Sequence, residues 1–349
     1  MSSAALDRLL AVLIVGLAAT GAISLLSGDP ADAWLFVLHD LLAGSLAVAV
    51  VVKLVRSVPK AVRARRWRPL VVAGLVTLAT GGSIVGGFVW VAGGSIVWLD
   101  LGFIRWSLLT MHVVAGIALL PLVLVHLAPR RWRVLRVRPP RPVGRPCAVR
   151  VDSRPGPELS RRGLLEAGGY AAVAVILVGA ATTIDTLRGG VRRFTGSRFL
   201  PSGPPGIPTT FLGEPTPVID ASAWRLRITG RVEREIDLEL AALTALPARD
   251  VTAILDCTAG WAVEATWTGV AVPDVLPLAG VAPDAARVDV VSVTGWRASL
   301  TPAEADAMLL AWAEGGKPIT TDHGAPLRLV APDHRGLEWV KWVDRIEVA

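Results

Sequence analysis

The sequence predicts an all-α membrane helix bundle, four helices plus a fifth anchoring span, followed by an α+β domain. Three observations carry this reading. The 349-residue chain is 52% hydrophobic with a net charge of +7, and a mean hydropathy of +0.53 is high for a chain soluble throughout. The apolar residues are spread unevenly: to about position 185, long apolar runs alternate with arginine-rich segments. Beyond about position 218 the pattern is that of a globular domain.

Five runs, at about 8–26, 34–55, 70–92, 105–127 and 164–184, each approach the roughly 20 residues that cross a bilayer core. The first lacks a clear small-residue cleavage site and is followed by further spans, so it reads as an anchor and not as a cleaved signal. The domains divide as 1–130, the four-helix part; 131–163, a basic loop; 164–184, the fifth span; 185–217, a linker; and 218–349, the C-terminal domain. Arginine and lysine cluster between spans two and three, from Lys53 to Arg68, and between spans four and five, from Arg130 to Arg162. The positive-inside rule puts both loops and the N-terminus in the cytoplasm and the C-terminal domain outside. Short basic loops between spans point to membrane lipid and not to nucleic acid. Ser160-Arg161-Arg162 before an apolar helix resembles a twin-arginine signal, which would engage the twin-arginine export machinery; an ordinary positive-inside anchor reads equally well.

Ionisable residues inside a bilayer are functional candidates, and three of the five histidines fall in spans: His39, His112 and His126. His39 follows Trp34 by five residues and His112 follows Trp106 by six. With both tryptophans at the outer interface, the two imidazoles lie level, roughly 8–9 Å deep. Two level imidazoles on neighbouring helices suit bis-histidine ligation of haem b. His126, fourteen residues after His112, returns to within roughly 40° of the same face about 21 Å deeper, which makes it a candidate ligand for a second haem. The matching position in span two is Lys53, expected to extend toward the cytoplasmic surface. Gly44, Gly74, Gly81, Gly82 and Gly116 are expected to let helices approach closely. Histidines engaged only in interhelical hydrogen bonds are the plainer alternative.

In the C-terminal domain, 223–232 alternates as a strand buried on one face. "LELAALTALP" reads as a short helix, "DVTAILDCTA" as a strand ending at Cys257, and "RVDVVSVTGW" as a further strand. "TPAEADAMLLAWAE" is expected to be a helix capped by Thr301 and Glu304, and "PLRLVAP" and "KWVDRIEV" are closing strands. Cys257 is one of two cysteines, the other being Cys147 in the basic loop. By itself it reads as a buried inert thiol, a metal ligand or a nucleophile.

"LDCTAGW", "TWTGVAVPDVL", "VTGWRASL", "DHGAPLRLVAP" and "GLEWVKWVDRIEV", in that order, resemble the molybdopterin-binding domain of the sulfite oxidase family, from about position 195 onward. The resemblance implies a sulfite-oxidase-type fold and a Mo-molybdopterin cofactor, with Cys257 as the thiolate ligand to molybdenum. It implies cofactor contacts from Thr258, Ala259, Gly260, His323, Arg328, His334, Arg335 and Lys341. Trp296 stands where the family tends to carry tyrosine, with Arg297 after it; both are candidate catalytic residues, and the departure puts sulfite in doubt as substrate. A second, immunoglobulin-like domain is not expected, a likeness to the periplasmic methionine-sulfoxide reductase branch.

Together these readings predict a membrane-bound molybdenum oxidoreductase. It would exchange an oxygen atom with a small oxo-donor or oxo-acceptor and pass electrons between molybdenum, haem b and the membrane quinone/quinol pool. The alternatives are a membrane-anchored, non-catalytic module that keeps the fold, and a transporter or assembly factor.

Overall fold

The computed structural model describes residues 2–64, 67–100, 102, 105–128, 161–200 and 215–349. The chain divides into two units, residues 1–23 with 33–191, and residues 24–32 with 192–349.

The first unit is helical: α1 (Ser3–Ser24), α2 (Ala33–Arg63), α3 (Trp67–Ala92), α4 (Leu108–Leu127) and α5 (Arg161–Leu187). Among the described residues, five helices are long and apolar enough to cross a membrane, which is compatible with membrane association. A short hairpin, β1 (Trp98–Asp100) with β2 (Arg105–Ser107), precedes α4. The Ser107 hydroxyl caps α4 by accepting the Thr110 N–H at 3.1 Å, which satisfies one of the amides a helix start leaves open. Helix α3 packs on α4, and α2 on α5. At Gly44 a Cβ would come within 2.8 Å of the Ala174 Cβ, so this glycine sets the approach of α2 to α5. Gly74, Gly81 and Gly82 have no neighbour that a Cβ would meet within 4 Å, and Gly116 has only the Ser83 hydroxyl at 4.0 Å; these four do not act as helix-contact glycines. Lys53 does not reach for the surface: its ammonium pairs with the buried carboxylate of Asp7 on α1. An ammonium in an apolar bundle is stabilised more by a partner carboxylate than by an extended stem.

The second unit is built on two sheets. One has β7 (Trp261–Ala271) at its centre, paired with β6 (Arg249–Asp256), β10 (Leu309–Glu314) and β3 (Arg198–Phe199); β10 also pairs with β11 (Lys317–Pro318) and β12 (Arg328–Val330). The other runs β5 (Ile236–Glu239), β4 (Arg225–Gly230), β13 (Val343–Val348), β8 (Val288–Ser292), β9 (Arg297–Leu300). In it β13 is parallel to β4 and antiparallel to β8. Strand β4 alternates as expected, with Leu226 and Ile228 buried between more exposed arginines. The predicted short helix at 238–247 is α6 (Leu240–Thr244), preceded by β5.

The long helix expected at 301–314 is a correction. The capping box of Thr301 and Glu304 forms, but α7 (Pro302–Ala305) ends after one turn and Leu309–Glu314 is strand β10. Met308 to Ala311 are buried throughout, and a run buried on both faces has no period that separates strand from helix. The linker is corrected too. Residues 192–200 belong to the second unit, where β3 lies parallel to the start of β7, pairing Arg198 with Trp261. Residues 129–160, which include Cys147, Ser160 and most of the basic loop, lie outside the described residues. Arg161 opens α5.

Candidate functional site

Cys257 leaves the end of β6 and enters a tight turn into β7. Its N–H donates to the Trp261 carbonyl at 2.9 Å, its carbonyl accepts from the Gly260 N–H at 2.9 Å, and Gly260 takes a φ of +93°. A glycine closes this turn because a side chain disfavours that backbone region. The Ala259 N–H points at the Cys257 sulfur, 3.4 Å away. Thr258, Ala259 and Gly260 are thus the walls of a cradle around a buried thiol. Among the described residues no cluster of three His, Cys, Asp or Glu side chains could hold a metal, so a metal at Cys257 would draw its other ligands from outside the side chains.

The residue before the cysteine anchors the turn. Asp256 is 0% exposed. Its carboxylate accepts from the Thr195 and Ser197 hydroxyls at 2.7 and 2.6 Å and pairs with Arg193 at 3.4 Å and Arg335 at 3.7 Å. Its carbonyl accepts from the Gly336 N–H at 2.7 Å. A Cβ at Gly336 would stand 3.2 Å from the Cys257 Cα, so the Arg335–Gly336 segment lies directly against the cysteine. Asp256, Arg193, Thr195, Ser197 and Arg198 were not foreseen as site residues. The available signal was a carboxylate next to the lone thiol, followed by hydroxyls and arginines in what read as linker.

Cations dominate the surroundings. Among the described residues of the second unit, Arg198 is 2% exposed, Arg335 3% and Arg328 4%, against buried carboxylates at Asp256, 0%, and at Asp289, 3%, on the five-stranded sheet. The Arg198 N–H donates to the Gly260 carbonyl at 2.9 Å. Burial pushes the Arg328 guanidinium down to about 10, opposed by Glu314 and Cys257. Arg335 is also lowered by burial, opposed first by Asp256 and then by Cys257. Arg328 lies against two indoles, 5.1 Å from Trp267 and 5.8 Å from Trp339, which themselves meet edge to face at 5.6 Å, and donates to the His323 carbonyl at 2.8 Å. Its Nε is buried with no hydrogen-bond partner among the described residues. A buried guanidinium with an unsatisfied N–H is costly unless an anion joins it, so Arg328 fits contact with a phosphate-bearing group.

The structure brings His323, Arg328 and Lys341 together. A Cβ at Gly324, which has φ +112°, would meet the Lys341 Cα at 3.1 Å and the Arg328 Cβ at 3.3 Å. The Lys341 ammonium donates to the Asp322 carbonyl at 3.2 Å and stacks 5.0 Å from Trp342. Trp342 takes φ +53°, rare for a bulky residue, and donates to the Thr321 carbonyl at 2.7 Å. His334 lies one residue before Arg335, with its Nδ1 2.9 Å from the Pro332 carbonyl. Trp296 is 41% exposed and donates to the Leu337 carbonyl at 2.8 Å, which ties it to the segment beside Cys257. Arg297 is a correction. Its guanidinium pairs with Glu347 at 3.4 Å and Asp289 at 3.8 Å on the five-stranded sheet, where alternation along β9 turns it outward and commits it to those carboxylates.

In the helical unit the expected imidazole pair is present. The rings of His39 and His112 have centroids 6.1 Å apart, and two imidazoles sharing one metal at ~2 Å bonds have centroids about 6 Å apart. Each Nδ1 is engaged, His39 with the Thr20 hydroxyl at 2.8 Å and His112 with the Ser83 carbonyl at 2.7 Å. Such partners fix ring orientation and leave Nε2 for a metal. The glycine that matters here is Gly87, where a Cβ would come within 3.2 Å of the His112 ring. His126 has no matching imidazole on α2, since the level position is Lys53, paired with Asp7.

Residues 213–349 match the family described as oxidoreductase molybdopterin binding domain. The chain is similar to "Uncharacterized oxidoreductase YuiH" of Bacillus subtilis, 31% identical over 131 residues that cover 37% of this chain and 66% of that one. It is also similar to sulfite oxidase of Arabidopsis thaliana, 30% identical over 173 residues, covering 38% of this chain and 44% of that one. The solved sulfane dehydrogenase SoxCD of Paracoccus pantotrophus matches with a TM-score of 0.37 at 24% identity, over 38% of this chain and 40% of that chain. The chain thus spans less than two thirds of the length of each of these relatives.

Proposed function

From the premise that the second unit carries a molybdopterin-binding oxidoreductase domain of the sulfite oxidase family, we propose that the whole chain is a membrane-bound molybdenum oxidoreductase. The observation that carries this is the buried thiol of Cys257, the one cysteine of the C-terminal domain, with the buried guanidinium groups of Arg328 and Arg335 in its surroundings. When bound, the molybdenum cofactor supplies oxygen-atom transfer with a small oxo-donor or oxo-acceptor, and a haem b supplies one-electron carriage.

The residues divide the work. Cys257 holds the metal by its sulfur, a soft donor suited to this metal class. Arg198, Arg328, Arg335, His323 and Lys341 bind the anionic pterin group, with Thr258, Ala259 and Gly260 giving it close backbone approach. Trp267 and Trp339 hold Arg328 in place and exclude water behind it. Asp256 orients Arg335 and restrains the turn. Trp296, half exposed beside this segment, borders the side open to substrate. His39 and His112 would hold the haem iron through Nε2, oriented by Thr20 and Ser83. The arginine distribution supports a cytoplasmic N-terminus and an external catalytic domain, and the quinone/quinol pool is the remote redox partner. Arg161 and Arg162 support delivery of the folded domain by the twin-arginine route.

The test is molybdenum and iron per chain in detergent-purified protein from a cofactor-competent host. We expect about one molybdenum and one haem iron per chain, and loss of molybdenum with retention of iron in Cys257→Ser. Molybdenum without iron would reduce His39 and His112 to structural residues. Neither metal would favour a non-catalytic module.

A further inference from the structure

The helical unit encloses a cavity of about 590 Å³ between α1, α2, α3 and α4, separate from the His39–His112 pair. Most of its wall is aliphatic, with Leu10, Ile14, Val50, Val76 and Val123 contributing. Polar groups interrupt that wall in two places: the Asp7–Lys53 ion pair from α1 and α2 with His126 from α4, and, toward the ends of α1 and α2, Ser3, Arg56, Ser57 and Lys60. Thr77 and Thr80 also line it, but their hydroxyls donate within α3, to the Ala73 and Val76 carbonyls, both at 2.7 Å.

This lining selects its occupant. An acyl chain offers the Lys53 ammonium no acceptor, which is unfavourable in an apolar medium. A small polar solute would give up hydration against the aliphatic wall. An ammonium has three donors, and Lys53 gives one to Asp7. What fits is a ring with hydrogen-bonding oxygens and an apolar remainder. A haem does not fit as well, because the position on α2 level with His126 is Lys53 and not a second imidazole. The cavity also reaches toward the imidazole pair: Thr80 lies three residues from Ser83, whose carbonyl holds His112, a rise of about 4.5 Å.

We propose that this cavity binds the ring of a membrane quinone or quinol, with Lys53 donating to a ring oxygen and His126 beside it. This gives a location to the quinone exchange in the function proposed above and rests on that reading for its purpose, but binding can be measured without it.

The experiment uses the full chain in nanodiscs of quinone-free phosphatidylcholine and phosphatidylglycerol, with decylubiquinone as probe. Bound probe is extracted and quantified, and haem is read independently by absorbance. The parent chain is expected to bind saturably. Ala73→Phe, which puts a ring into the cavity from α3, and the double variant Asp7→Leu with Lys53→Met are each expected to weaken binding at least about tenfold. Replacing both members of a buried pair with apolar residues tends to preserve folding, so the double variant covers the case in which Ala73→Phe does not fold. Unchanged binding in both variants overturns the proposal, as does a second haem iron lost in His126→Ala. Absence of haem with binding intact rejects the electron conduit and leaves the cavity assignment standing.

Discussion

Asp256→Asn tests whether one carboxylate holds the cysteine turn. The substitution keeps the volume and one acceptor oxygen, but places an NH2 group where the carboxylate meets two hydroxyls and two guanidinium groups. The Thr195 and Ser197 hydroxyls can rotate to accept; Arg193 and Arg335 cannot. The main loss is therefore the charge opposite Arg335, itself 3% exposed. Breaking a buried pair from one side costs about 3–5 kcal/mol. At about 2–4 °C per kcal/mol for a domain of this size, the apo domain should melt about 6–20 °C lower. Thermal proteolysis of the full chain in detergent, followed on the C-terminal domain fragment, reads this directly. Adding Arg335→Met should recover part of the loss, because the uncompensated cation is then gone. A single variant melting within about 2 °C of the parent, or a double variant with purely additive loss, would refute the reasoning.

Three further outcomes follow. Gly336→Val should lower molybdenum content several-fold while the domain stays folded, because even a Cβ there presses on the Cys257 Cα at 3.2 Å; metal analysis against folded protein checks it. Gly87→Leu should reduce haem content or shift the haem absorbance bands, since a Cβ at 3.2 Å already crowds the His112 ring; an unchanged spectrum and content would count against His112 as a ligand. Burial holds the Glu338 carboxyl above its ordinary 4.5, despite His334. The folded state therefore keeps a proton the unfolded chain has released, and domain stability should fall as pH rises from about 4.5 through the folded value. Glu338→Gln should flatten that part of the pH–stability profile.

Much of this was legible in the chain. The helices follow from runs long enough to span a bilayer, and the level of His39 with His112 from counting residues after two tryptophans. Cys257 at a strand end followed from a β-rich run breaking into Thr-Ala-Gly. The misreadings share a physical cause. Leu309–Ala311, the first half of its strand, is buried on both faces and so carries no period to betray a strand. Residues 192–200, with three arginines, two hydroxyl residues and one glycine, follow a Gly-Gly pair and precede a Pro/Gly-rich stretch and so read as linker, yet Arg193, Thr195 and Ser197 act through one distant carboxylate. Lys53 looked like a surface lysine because its partner, Asp7, lies 46 residues away in sequence. Each miss depends on a partner that local pattern cannot supply.

The Cys257 turn also imposes an order on the protein's own synthesis. Its restraints come from Arg193–Ser197 on one side and Arg335–Gly336 on the other, and β4 finds its parallel neighbour only in β13, Arg227 opposite Arg345. A nascent chain that has emerged only as far as Cys257 therefore displays the thiol without the arginines at 328 and 335 or the strand that closes the sheet. Because domains emerge from the ribosome from the N-terminal side, the site is assembled last. Cofactor insertion is then a late event in maturation, and a chain interrupted before residue 335 cannot present a finished receptor for it.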